Sequence, residues 1–165
     1  MRTREEILAV IGEIDSLLKS LEIIVDEARE KCVEFYNREP DRFSLRGLGS
    51  LIHDFYTNIE DIFELIAGDV NGSKAYDSFD WHKRLLNRMS IPIPDIRPPV
   101  ISEDLKNRLE EYLRFRHLFR NVYGYLLEWE RMRHLLYNLE DTYKSFKEEI
   151  ENFRKFLLEI AYRLE

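Results

Sequence analysis

A single cysteine, Cys32, is all the thiol chemistry the chain has. It excludes an internal disulfide and a cysteine-rich zinc site. Its place on an apolar stripe makes a packing role the expectation rather than a reactive thiol. There are only six glycines, and four of the five prolines fall between 92 and 99. Helix breakers are thus gathered in one place, and long unbroken elements should flank it. No apolar run reaches the length that spans a bilayer, so no membrane helix is expected. The opening "MRTREEILAVIGEID" turns acidic before a signal-peptide core could form, and a reducing cytoplasmic setting is the expectation. The four histidines show no His-x-x-x-His or Glu-x-x-His pair, so no metal site is expected. No glycine-rich phosphate loop and no serine or cysteine nucleophile motif is present, and no cofactor is expected. A formal charge of −7 argues against indiscriminate nucleic-acid binding, although it leaves room for a local basic site.

What is there is apolar and charged in helical rhythm, 44% hydrophobic and 35% charged. The length suits one domain, residues 1–165, with a core that needs no staples. Ile7, Ile11, Ile14, Leu18, Leu21, Val25, Ala28, Cys32 and Phe35 alternate steps of four and three, a heptad seam on a helix ending near Pro40. Leu136, Leu139, Tyr143, Phe146, Ile150, Phe153, Leu157, Ile160 and Leu164 repeat the pattern at the other end. The two should pack as neighbours, or each should serve as a dimer seam.

A second helix is predicted from about 44 to 67, buried through Leu48, Phe55, Ile59, Ile62 and Ile66 and stopped by Gly68, Asp69 and "NGS". An irregular insertion follows, about 68–102. It holds a short helix, "SFDWHKRLLNRM", with Ser78 as N-cap, and then the extended "IPIPDIRPPV". A third long helix starts after Ser102, with Glu103 and Asp104 in its first turn, and runs to about 127. The fold class is all-α: four main helices, a short extra helix and a proline-rich excursion.

The third helix carries the unusual chemistry. Residues 114–133 hold Arg114, Arg116, Arg120, Arg131 and Arg133, no lysine, and only Glu128 and Glu130 in opposition. Arginine is the residue whose planar fork matches phosphate. On a helical wheel, Phe115, Leu118, Phe119 and Val122 form the core arc. Arg116, Arg120 and Tyr123 fall beside it, in line with Leu105, Leu109, Tyr112 and Leu127. His117 and Asn121 make the next row. Buried guanidiniums need either carboxylates, for which Glu60 and Glu64 are placed, or an anionic ligand. The second helix adds His53, Tyr56 and Glu60 at spacings of three and four, a base, a hydroxyl and a carboxylate suited to proton transfer or to a satisfied network. His82 reads as exposed on its short helix, and His134 as an ordinary helix residue.

Three blocks, "HDFYTNIEDIFELIA" (53–67), "WHKRLLNRM" (81–89) and "YLRFRHLFRNVYGYLLEWERM" (112–132), resemble the HepT-like branch of the HEPN all-helical domains. The likeness spans roughly 43–136 and implies a HEPN-like bundle. Members are often toxins paired with a small nucleotidyltransferase antitoxin, and many are metal-independent ribonucleases acting as homodimers. Their signature is an arginine, four to six residues, a histidine and, in the HepT group, a tyrosine two places on that the antitoxin can modify with AMP. Arg116 matches the arginine and Tyr123 the tyrosine. Asn121 stands where the histidine belongs, and an amide cannot shuttle a proton as imidazole does. His117, directly after the arginine, is the substitute that the sequence offers. A literal arginine–histidine spelling at Arg46 to His53 looks coincidental.

The resemblance implies an endoribonuclease toxin in which Arg116 and Arg120 hold phosphate, His117 carries the proton with help from His53, Asn121 orients, and Tyr123 contacts phosphate or receives the modification. The implied partners are RNA, a second copy of the chain and a nucleotidyltransferase. The alternative is a catalytically inactive relative that binds nucleotide or RNA, or occupies a nucleotidyltransferase.

Overall fold

The computed structural model of the chain describes residues 3–68 and 79–164. Its elements are α1 (Arg4–Glu34), α2 (Arg42–Ala67), α3 (Phe79–Met89), α4 (Glu103–Asn121), a 3-10 turn (Gly124–Leu126) and α5 (Trp129–Arg163). The described residues form no strand, only one isolated antiparallel bridge, Ile93 to Arg97. The fold is therefore an all-α helical bundle.

Side-chain caps mark the starts of α1, α2 and α4. Thr3 and Glu6 form a reciprocal capping box at the head of α1. Asp41 accepts from the Ser44 N–H at 2.7 Å, and Ser102 accepts from the Leu105 N–H at 3.1 Å. Gly68 ends α2 with φ 71°, a conformation that favours glycine. The expected cap at Ser78 and the stop at Asp69 and 71–73 lie outside the described residues.

The two heptad seams meet each other. α1 packs along α5 and α2, α2 along α4, and the short α3 lies on α4 and α2. Three polar rungs fix the antiparallel register of α1 and α5. Arg154 forks onto Asp15 at 2.9 and 3.0 Å, Lys147 reaches Glu22 at 2.8 Å, and Arg29 reaches Glu140 at 2.9 Å. Each rung steps one heptad up α1 and one heptad down α5, which is the register that buries Ile14, Leu21, Leu139, Phe146 and Ile150 together. Cys32 is half-buried, with its thiol 3.5 Å from the Leu136 carbonyl, and burial raises its pKa.

The proline-rich excursion is tied down by one side chain. The Arg97 guanidinium donates to the carbonyls of Arg88, Ile91 and Pro98 at 3.0–3.1 Å. Val100 and Ile101 then turn into the core, with their N–H groups on the Met89 carbonyl.

Two helix boundaries differ from expectation. α4 stops at Asn121 rather than near 127. Val122 is extended at φ −123°, ψ 153°, and Tyr123 follows it. A β-branched residue and Gly124 are weak helix formers, and Leu127 and Trp129 reach the core only if the chain turns there. α5 starts at Trp129, ahead of the Leu136 seam, because Trp129, Met132 and Leu135 are also buried.

Candidate functional site

The buried face of α4 is Leu105, Leu109, Tyr112, Leu113, Phe115 and Arg116. The core arc is thus rotated from the expected one, and Leu118 is exposed. Arg116 sits on the apolar stripe itself, in line with Leu105, Leu109 and Tyr112. Arg120, one turn on near the end of α4, is exposed. Among the described residues the two arginines therefore differ in setting: Arg116 is buried and Arg120 is exposed.

Arg116 is met by Glu60, whose Oε1 lies 3.8 Å from the Arg116 Nε. The same oxygen lies 2.8 Å from Nδ1 of His82 on α3. The His82 contact is electrostatic rather than a well-aligned hydrogen bond. All three side chains are buried, so α2, α3 and α4 converge on a charged knot inside an apolar core. His82 was expected to be exposed. Its spacing with Leu85, Leu86 and Met89, which are also buried, places it on the inner face of α3.

Tyr56 adjoins this knot and is fully buried, with no hydrogen-bond partner for its hydroxyl among the described residues. Burial first, and then the Glu60 carboxylate, push its pKa well above the usual phenol range, while the Arg116 guanidinium opposes them. It stays neutral through the physiological range. His53, Tyr56 and Glu60 do not gather around one point. The His53 ring packs on Phe119 at 5.2 Å with Nδ1 3.4 Å from Asp54, whereas Glu60 faces His82 and Arg116.

The outer end of α4 is a different surface. His117, Arg120 and Asn121 are all exposed. The Asn121 amide donates back to the His117 carbonyl, one turn earlier, at 2.7 Å. The same nitrogen lies 3.5 Å from His117 Nδ1, and the His117 ring meets the edge of Phe79 on α3. An imidazole therefore stands directly beside Asn121.

Tyr123 lies beyond the helix, not in the arginine row. It is 71% exposed, and its ring stacks on Tyr125 with centroids 5.6 Å apart and planes 7° from parallel. The pair borders a pocket shared with Arg46 of α2. Gly49 lets α2 approach this end of α4: a Cβ there would stand 2.8 Å from the Phe119 ring. The arginine–histidine spelling at Arg46 gives no sign of this placement. The placement depends on contact with residues almost 80 positions away, which no local pattern carries. Among the described residues no cluster of His, Cys, Asp or Glu could hold a metal ion, and no helix is long and apolar enough to cross a membrane.

A family model described as HepT-like protein matches residues 47–157. No curated protein and no solved structure matches.

Proposed function

Because the chain belongs to the HepT-like family of HEPN domains, matched over more than half its length, we propose that it is a metal-independent endoribonuclease toxin of a toxin–antitoxin pair. Membership by itself suggests a toxin- or ribonuclease-like role. The observation that supports the finer reading is the imidazole beside the signature position. Asn121 replaces the family's histidine, and His117 lies 3.5 Å from its amide on the solvent side of α4.

In this reading the RNA lies across the outer end of α4. His117 takes the proton of a 2′-hydroxyl, the 2′-oxygen attacks the adjacent phosphorus, and the bond to the 5′-oxygen breaks. The leaving oxygen takes a proton from the imidazolium or from water. The products are a 2′,3′-cyclic phosphate and a 5′-hydroxyl. Arg120 is exposed and able to meet the phosphate charge that grows in the transition state. Asn121 orients His117. Arg116 acts from behind this surface, as a positioning residue held by Glu60. The site is shared with a second copy of the chain, and the exposed Tyr123 hydroxyl is the acceptor for AMP from a small nucleotidyltransferase partner.

A second reading has its own support. Arg116 is already neutralised by Glu60, and the Asn121 amide is already bonded to the His117 carbonyl. Both suit an inactive relative that only binds RNA, nucleotide or the nucleotidyltransferase. Incubation with single-stranded RNA in EDTA separates the two readings. New 2′,3′-cyclic phosphate ends are expected, and intact RNA at high protein concentration would leave the binding reading.

A further inference from the structure

The pocket beside Tyr123 has features that the cleavage chemistry above does not use. Its volume is about 440 Å³, ample for one nucleoside, and its walls include Phe119, Val122 and Leu127. The stacked rings of Tyr123 and Tyr125 stand at its rim, and both are more than half exposed. Exposing two parallel aromatic rings is costly for a surface that meets only water. On the opposite side Arg46 lies over the backbone of Gly124. A Cβ at Gly124 would stand 2.7 Å from Arg46 Nε and 3.0 Å from its Cγ, so the absence of a side chain there is what gives the guanidinium its place. Arg46 forms no ion pair with any described residue. Arg42, one turn earlier on the same face of α2, is exposed and unpaired in the same way. An aromatic platform with an arginine beside it, in a protein of net charge −7, selects a flat ring attached to an anion.

We propose that this pocket is a nucleobase subsite for single-stranded RNA. One base stacks on the Tyr123–Tyr125 pair, Arg46 takes the phosphate attached to it, and Arg42 meets the neighbouring phosphate. The proposal rests on the ribonuclease reading for its substrate class and adds the grip that holds the strand next to His117. Stacking reads a π-face rather than a hydrogen-bonding edge, so the subsite tolerates any base and favours unpaired strands.

The test is the affinity of the full chain for a short, labelled 2′-O-methyl oligoribonucleotide, which cannot be cleaved, read by fluorescence anisotropy across a salt series. Tyr125→Ala should weaken binding roughly 5- to 150-fold, while Tyr125→Phe keeps the ring and should hold affinity within about twofold. Arg46→Ala should weaken binding and lower the slope of log affinity against log salt by about 0.7, the signature of one lost phosphate contact on a single strand. Gly124→Ala should imitate Arg46→Ala by pushing the guanidinium aside, and circular dichroism should show each variant folded. Failure of the wild type to bind the oligonucleotide overturns the proposal. So does unchanged binding by Tyr125→Ala and Arg46→Ala, including the case where those variants lose only a protein partner. The outcome is separable from the nuclease reading. Pocket-dependent binding without RNA cleavage supports the subsite and retires the nuclease. RNA cleavage with pocket variants that bind normally does the reverse.

Discussion

Arg116→Ala removes a guanidinium from a site where its partner cannot reach water. The Arg116 and Glu60 side chains are 11% and 5% exposed, so solvent screening is slight. Breaking a buried pair by deleting one partner costs about 3–5 kcal/mol, mostly as the penalty of the stranded charge. The lower end applies here, about 3 kcal/mol, because His82 stays 2.8 Å from Glu60 and can share its charge when protonated. For a domain of this size that corresponds to a fall in Tm of roughly 6–12 °C. Arg120→Ala, on the exposed end of the same helix, should change stability by less than about 1 kcal/mol. Glu60→Gln combined with Arg116→Ala should cost less than the sum of the single changes, with a coupling of about 1–3 kcal/mol. Thermal melts by circular dichroism and urea titrations give all four values. Equal melting temperatures for the Arg116→Ala and Arg120→Ala variants, or strict additivity with Glu60→Gln, would refute the buried pair. The contrast also disciplines activity assays, since a loss of cleavage in Arg116→Ala counts only at temperatures where that variant is folded.

Tyr56→Phe and Tyr112→Phe should move stability in opposite directions. Tyr56 has a buried hydroxyl without a partner, so its removal should stabilise by about 1 kcal/mol, whereas Tyr112 donates to the Leu135 carbonyl at 2.7 Å and its loss should cost about 1 kcal/mol. Because the folded pKa of Tyr56 is raised, the unfolded chain ionises first. The Tyr56 contribution to stability should be constant below pH about 10 and be lost as pH rises beyond it, so the alkaline fall should be less steep in Tyr56→Phe; equal alkaline slopes in urea titrations would count against that burial. Asn121→His restores an imidazole at the signature position and should raise the rate of RNA cleavage at least about tenfold, measured by initial rates in EDTA. Light scattering at micromolar concentration should give twice the 20.0 kDa chain mass, and a clean monomer would remove the shared-site arrangement. Peptide mapping after incubation with a cognate nucleotidyltransferase and ATP should place the added mass on Tyr123, and modification elsewhere would reject that assignment.

The parts of the fold that repeat locally were legible in the sequence. The seams from Ile7 and from Leu136 were readable as helices because every third or fourth residue is apolar, and the structure packs them on each other. The Asp41, Gly68 and Ser102 boundaries fell within a few residues of expectation because caps are short-range chemistry. The turn after Asn121 was missed. Val122 and Tyr123 continue a helical pattern, and the weak propensity of Val122 and Gly124 becomes a break through the burial of Leu127 and Trp129, which is tertiary. For the site, Glu60 could be anticipated as a partner of Arg116, since a buried guanidinium on an apolar stripe demands a carboxylate. His82 could not be joined to them, because the pairing of α2, α3 and α4 is a tertiary event. Arg46 was hidden for the same reason: its neighbour Gly124 lies on another element.

The central claim is that His117 supplies the proton transfer that Asn121 cannot. The most direct measurement is the pH–rate profile of RNA cleavage in EDTA for the wild type and for His117→Ala, with both confirmed folded by circular dichroism. The account predicts wild-type products ending in 2′,3′-cyclic phosphate, and a loss of roughly 100-fold or more in His117→Ala together with loss of the pH dependence near neutrality. A His117→Ala protein that cuts RNA at the wild-type rate with an unchanged profile would contradict it.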